Sequence, residues 1–341
     1  MRAVIGQERM LDHLGARAVR GELSHAYGLF GPRSVGKRTV AIRLAQTANC
    51  LDATRPVGGC GTCRSCTNIE RGVHPDVRLI ERDPVSKNIG IAQIRDMQRD
   101  LAFRPLEGRV RFVIIDDAAE LHEHAQDALL KTLEEPPRHA VLLLVTLAAA
   151  PLHETIRSRV QSLRFRSVAT AEIAAGLRER GVKDADALAA TANGRPGLAL
   201  RLATDEGGER SMRRTLEAEL FRLIGSGLTD RFAWAAELAA GSPDTEEGRR
   251  RRTDALDARF DHWSELLRDA AVSARGLSGV PLRPERQVET AKIGAKNNAR
   301  ELVDAALLIE RLRRDLTWNA NPRMMLELLA LRLPHVAELA A

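Results

Sequence analysis

Aromatic side chains are scarce, at 3% of 341 residues with a single tyrosine, Tyr27. Strand-rich folds lean on aromatic and β-branched residues, whereas Ala, Leu, Arg and Glu abound here, so helix should dominate. Long apolar runs are missing too. The longest, Val141 to Leu152, is interrupted by Thr146 and spans about 12 residues, short of the ~20 that cross a bilayer. The start, MRAVIGQERM, has no continuous apolar core ahead of Glu8 and Arg9, so no secretory signal is expected. These absences point to a soluble, cytoplasmic protein with no membrane partner. Charge of one sign is also lacking: 52 Lys and Arg against 46 Asp and Glu leave +6, weak evidence for nucleic acid over this length. Apolar residues at 44% and charged residues at 29% exclude disordered and fibrous classes, and the length suggests two or three domains.

From Met1 to about Arg166, short apolar runs alternate with amphipathic helices. The strand candidates are Ala26–Phe30, Val77–Ile80, Val110–Ile115, Val141–Thr146 and Val160–Phe165. Such alternation implies parallel pairing, hence an α/β domain over residues 1–166. A second region, 167–204, reads as three short helices, punctuated by Gly181 and by Gly194-Arg195-Pro196-Gly197. Beyond the polar break Asp205–Glu209, residues 210–341 look all-helical. Leu302, Ala305, Ala306, Ile309, Leu312 and Leu316 recur three or four apart, on one helical face. Asn321 before Pro322 marks a further helix start, an N-cap followed by proline at the first helical position. Gly241–Arg252, with the run Arg249–Arg252, is expected as a solvated surface turn. Trp234, Trp263 and Trp318 are expected to pack rather than stack on bases.

Gly31-Pro32-Arg33-Ser34-Val35-Gly36-Lys37 follows the first strand candidate and opens a helix. Strand, glycine loop and helix in this order form a phosphate loop, whose N–H groups and helix dipole favour an anion. Gly31, Gly36 and Lys37 are the candidates for that contact. The next residue should be Ser or Thr, to bind Mg²⁺. Here it is Arg38, which only donates hydrogen bonds and cannot ligate a metal. Thr39 lies about 100° further round the helix and cannot substitute. Phe112–Ile115 ends in Asp116-Asp117, where one acid would serve a metal and the other the attacking water. The second is usually Glu; Asp117 falls short by roughly 1.5 Å, enough to spoil water positioning. Thr146, closing the Val141–Val145 run, is a candidate polar sensor. Phosphate binding is therefore expected, and efficient Mg²⁺-dependent hydrolysis is not.

All four cysteines fall within 17 residues, as Cys50, Cys60, Cys63 and Cys66. Two successive C-x2-C steps among small residues suit tetrahedral thiolate coordination of Zn²⁺. Four thiolates leave no open position, so the metal would be structural.

Together these residues resemble bacterial replicative clamp loader subunits of the AAA+ class, the DNA polymerase III clamp loader family. The likeness runs through Ile5-Gly6-Gln7, His25-Ala26-Tyr27, the cysteine insert with His74-Pro75-Asp76, and Ile89-Gly90-Ile91 with Ile94-Arg95. It continues in Ala128-Leu129-Leu130-Lys131-Thr132-Leu133-Glu134-Glu135-Pro136-Pro137, Thr155-Ile156-Arg157-Ser158-Arg159 and Asn319-Ala320-Asn321-Pro322-Arg323. Val160 stands where the family has cysteine. The resemblance implies an AAA+ P-loop domain with a parallel sheet, a three-helix lid and a C-terminal helical collar. Arg159 would be an arginine finger reaching a neighbouring subunit's ATP site. Lys87 and Arg95 would be DNA-contact candidates. The implied partners are the tau/gamma motors and delta in a five-subunit ring, with the sliding clamp and primer-template DNA reached through the complex. Arg38, Asp117 and the missing lid arginine near Leu198 depart from the motor pattern. A non-motor subunit without its own ATPase or polymerase chemistry is thus expected, polymerase activity attaching by membership in the holoenzyme. An ATP-hydrolysing motor subunit and an unrelated zinc-stabilised nucleic-acid-binding module are the competing readings.

Overall fold

The five apolar runs become strands β1 (Ala26–Phe30), β2 (Val77–Ile80), β3 (Arg111–Asp116), β4 (Ala140–Thr146) and β5 (Gln161–Arg164). They are seen in a computed structural model that describes residues 4–83, 88–147, 152–205, 208–240, 245–276, 287–316 and 321–336. All pairings are parallel, in the order β2-β3-β4-β1-β5. The three central strands are buried almost throughout, because helices cover both faces of a parallel sheet. The edge strands β2 and β5 keep exposed or half-buried positions.

The connecting helices are α1 (Glu8–Arg20), α2 (Lys37–Asn49), α3 (Arg64–Glu70), α4 (Ile91–Leu101), α5 (Glu123–Glu134) and α6 (Glu154–Arg157). Leu11, Leu14 and Ala18 of α1, with Val40, Ala41 and Leu44 of α2, pack on one sheet face with Leu29, Ile114 and Leu143. Ile94 and Met97 of α4, with Ala125 and Leu129 of α5, cover the other face around Val113, Ile115, Leu142 and Leu144. Alternate strand residues thus serve opposite cores. Three short helices follow, α7 (Thr170–Arg178), α8 (Ala185–Ala192) and α9 (Pro196–Thr204). Density of contacts divides the chain into Met1–Leu200 and Arg201–Ala341, so most of the short-helix segment groups with the sheet.

The second unit contains α10 (Glu209–Gly225), α11 (Leu228–Ala240), α12 (Glu246–Ala274), α13 (Gln287–Lys296), α14 (Ala299–Asp315) and α15 (Pro322–Arg332). Its core holds Leu220, Phe260, Trp263, Leu302, Ile309 and Leu326. The expected face of α14 is the buried one. Trp234 and Trp263 pack with ring centroids 5.7 Å apart and donate to Glu219 and to the Leu216 carbonyl. Trp318 lies outside the described residues. Asn321 caps α15 as its sequence position suggests, accepting from the Arg323 and Met324 N–H groups. The expected surface turn is corrected. Arg249–Arg252 belong to α12, whose N-cap Thr245 accepts from the Gly248 N–H at 3.0 Å. The cap and a run of good helix formers outweigh the local like-charge repulsion.

Arg231 holds this unit's helix ends together. Its buried guanidinium donates to the carbonyls of Leu223, Ile224 and Ser226 at the end of α10. It also donates to those of Ala330, Leu333 and Pro334 at the end of α15. The last carbonyls of a helix have no intrahelical partners and carry partial negative charge, so one buried cation satisfies two termini. No described helix is long and apolar enough to cross a membrane.

Candidate functional site

The carboxyl ends of β1, β3 and β4 converge, as ligand sites in open parallel sheets require. Phe30 is paired with Thr146, and Asp116 with Val145. The chain leaves β1 at Gly31 and enters α2 at Lys37. Gly31 donates to the Leu147 carbonyl at 3.2 Å, tying the loop to the end of β4. Thr146 is buried there. Lys37 is only 7% exposed, and its ammonium donates to the carbonyls of Gly31 and Pro32, each at 2.5 Å. Burial pushes its pKa down to about 8, against the opposing pull of Asp117 and Asp116. Among the described residues no carboxylate forms an ion pair with it.

Arg38 takes both nearby acids. Its Nη1 lies 2.9 Å from Asp116 Oδ2 and 2.5 Å from Glu81 Oε1. Burial raises the Asp116 pKa and Arg38 opposes that rise without cancelling it. Asp117 sits in left-handed backbone, φ 62°, an uncommon conformation for a residue with a side chain. Magnesium does not fit this arrangement. The position that should offer a hydroxyl offers a guanidinium, and that guanidinium already occupies the Asp116 oxygen. Sequence reasoning identified the incompatible residue but not its two partners, 78 and 43 positions away.

A second departure involves α9. Gly197, next to the place where the resemblance calls for an arginine, donates its N–H to the Ser34 carbonyl at 2.8 Å. A Cβ there would stand 3.0 Å from that same oxygen. The first turn of α9 therefore approaches the phosphate loop at Gly197 at a distance that disfavours any side chain there.

The four cysteines lie between α2 and α3, all four sulfurs within 4.8 Å of one another. Cys50 and Cys63 are 4.0 Å apart, as are Cys60 and Cys66. A Zn–S distance of about 2.3 Å gives a tetrahedral S···S edge of about 3.8 Å, so the residues fit that ion. Backbone N–H groups already point at two sulfurs: Cys63 donates to Cys60 Sγ at 3.3 Å and Cys66 to Cys63 Sγ at 3.4 Å. The Cys63 N–H, with Thr62, brings the Cys60 pKa down to about 6, whereas burial raises those of Cys50 and Cys66. Gly59 is essential to the turn. Its φ is +76°, and a Cβ would stand 2.7 Å from Gln46 Cβ and 2.8 Å from Cys66 Sγ.

Beside this cluster the fully buried Asp76 carboxylate accepts from the N–H groups of Leu106, Glu107 and Gly108 at 2.7, 2.8 and 2.7 Å. Arg111 lies 3.6 Å away. Burial alone would raise its pKa, but these donors and Arg111 outweigh burial and hold it below the usual carboxylate range. A depressed carboxyl stabilises the fold above its unfolded pKa and loses that contribution as pH falls through the folded value. Asp76→Asn should cost about 2 kcal/mol at neutral pH, because at least one buried N–H loses its acceptor. Denaturant midpoints of the two proteins should converge in acid; an equal gap at both pH values would contradict the assignment.

Arg159 follows α6. It donates to the Thr155 carbonyl at 3.0 Å and lies 2.9 Å from Glu134 Oε1. None of its partners belongs to the chain's own phosphate loop. Val160, in the place of the family's cysteine, is buried in the core. Arg95 is exposed on the first turns of α4. Lys87 lies outside the described residues.

A parallel sheet in this order, with a glycine loop after its fourth-placed strand and paired acids after its second, has the arrangement of a P-loop nucleotide-binding domain. Residues 6–169, just under half of the chain, match the family described as DNA polymerase III, delta subunit. DNA polymerase III subunit tau of Escherichia coli K12 is 36% identical over 170 residues, 50% of this chain and 26% of that protein. DNA polymerase III subunit delta' of Pseudomonas aeruginosa is 36% identical over 155 residues, 45% of each. The chain thus spans less than half the length of these curated relatives. A gamma subunit-related protein from Thermotoga maritima superposes over 97% of this chain and 99% of its own, at 19% identity and a TM-score of 0.46.

Proposed function

We propose that this chain is a non-motor, delta prime type subunit of the replicative clamp loader. It supports ATP-driven loading of the sliding clamp onto primed DNA within the DNA polymerase III holoenzyme, in a five-subunit ring with tau/gamma motors and delta. The observation that carries this reading is the ion pair of Arg38 with Asp116, which fills the seat of the catalytic metal with a side chain. The chain's own hydrolysis is thereby disabled, and its contribution becomes Arg159, supplied to the neighbouring motor. Residues 167–204 act as a lid held on the phosphate loop by Gly197. Residues 210–341 act as the collar. Val303 and Leu307 on α14, with Met324, Leu328 and Leu331 on α15, are apolar yet exposed, as a helical surface that meets other subunits would be. Arg95 and Lys87 are the proposed contacts to the DNA backbone. The protein works in the cytoplasm.

Purified alone, the chain should show no ATP turnover above background, with or without Mg²⁺. Turnover abolished by Lys37→Ala would establish the motor reading instead. The cysteine cluster holds a structural zinc that pins the insert to the end of α2. Elemental analysis should find one zinc per chain, and Gly59→Ala should lose most of it because the new Cβ enters the cluster. Metal-free wild-type protein with an unchanged melting temperature would defeat that role.

A further inference from the structure

The backbone between α4 and β3 is held in place by two side chains. Five consecutive N–H groups, Leu106 to Val110, find their acceptors on Asp76 and Asn49. Asp76 takes the first three. Asn49 Oδ1 takes those of Arg109 and Val110 at 2.8 and 3.1 Å, and Asn49 Nδ2 donates to the Val110 carbonyl at 2.9 Å. Burial contributes little to this order, since Phe103 and Leu106 are 67% and 75% exposed. Asn49, itself buried, is the last residue of α2, and Cys50 follows it directly. The final carbonyls of a helix lack intrahelical donors. Arg109 supplies one here: its Nη1 donates to the Cys50 carbonyl at 2.8 Å and to that of Ala48 at 3.4 Å. A single loop residue thus bonds a cysteine of the cluster through its side chain and that cysteine's neighbour through its backbone, 59 and 60 positions away.

We propose that the cysteine cluster and the loop of residues 102–110 order each other, with Arg109 as a positioning residue for the metal. Zinc in the cluster, as proposed above, is the premise. A metal bonded to the Cys50 sulfur fixes the Cys50 carbonyl, and with it the acceptor that Arg109 needs. Otherwise the cluster is held by sulfur contacts of 4.0 Å and N–H bonds of 3.3 and 3.4 Å, each weak by itself. Groups that hold a ligand from outside the coordination shell commonly change metal affinity by about tenfold or more. Linkage makes the effect mutual: the free energy that the metal adds to the ordered loop equals what the ordered loop adds to metal binding. Arg64, next to Cys63, lies 2.8 Å from Glu107, but that pair is exposed and contributes little.

The test is amide hydrogen exchange of the purified full chain, with zinc bound and after its removal by a chelator under reducing conditions. It is paired with a chelator-competition titration of zinc. On zinc removal, exchange across Leu106–Val110 should rise by at least about tenfold, the equivalent of one hydrogen bond. Val113–Ile115, buried in β3, should keep their protection and so report that the sheet stays folded. Arg109→Ala should bind zinc about tenfold more weakly, the lower end of such effects. Arg109→Lys, with its donors on a point charge, should recover part of that loss. Arg109 is exposed, so both variants are expected to fold. One zinc per chain with unchanged loop exchange, or with Arg109→Ala binding zinc as tightly as wild type, overturns the proposal and leaves the zinc reading standing. A chain that takes up no zinc removes both.

Discussion

Arg159→Ala is expected to lower ATP turnover at the one site it faces in a reconstituted ring by about 10³-fold, the lower end of what arginine fingers supply. Assembly of the ring and folding of the chain should be unchanged. The physical reason is that a cation at the γ-phosphate stabilises charge that develops only as the bond breaks. A thousandfold corresponds to about 4 kcal/mol of barrier. In the isolated chain the guanidinium is held by Glu134 at 2.9 Å, a half-exposed pair with side chains 37% and 52% accessible. Such pairs are worth at most about 1 kcal/mol, so leaving Glu134 for a phosphate costs little beside the gain. Glu134→Gln should therefore leave ring turnover within a few-fold of wild type. Arg159→Lys, keeping the charge but losing the planar fork, should fall between. Steady-state ATPase of rings assembled with each variant decides the matter. Full turnover with Arg159→Ala would sink the finger, whatever the fold.

The largest effect on stability is expected at Arg231. Arg231→Met removes six donated bonds at the ends of α10 and α15; the Leu223 and Ile224 carbonyls keep donors from Ser226 and Val336, but those of Ser226, Ala330, Leu333 and Pro334 lose theirs. With unsatisfied buried polar groups costing about 1–3 kcal/mol each, a loss of about 4 kcal/mol or more is expected even after partial relaxation. Arg231→Lys, with three donors on a point charge, should recover part of that loss. All three tryptophans belong to the second unit, so tryptophan fluorescence in urea reads its unfolding directly. A midpoint within experimental error of wild type for Arg231→Met would show that the carbonyls are satisfied another way.

Much of this molecule was legible in local patterns. Apolar runs of four to six residues marked all five strands to within a residue or two. Leu302 to Leu316 marked the buried face of α14, and Asn321-Pro322 marked the start of α15. The spacing of Cys50, Cys60, Cys63 and Cys66 announced the cluster that the fold gathers. Local signals failed at Arg249–Arg252, where charge density suggested a turn and helix propensity with a Thr245 cap prevailed. They also could not tell Arg231, one arginine among 46, from those in solvent.

The sequence alone determined where strands, helices, the phosphate loop and the thiolates would stand, because periodicity, capping and ligand spacing act over a few residues. Only the tertiary structure decided which acids Arg38 would bind, which backbone Gly197 would touch and which carbonyls Arg231 would collect. A long charged side chain has many partners open to it in an extended chain. Packing removes all but those that the converging strand ends and helix termini bring within reach.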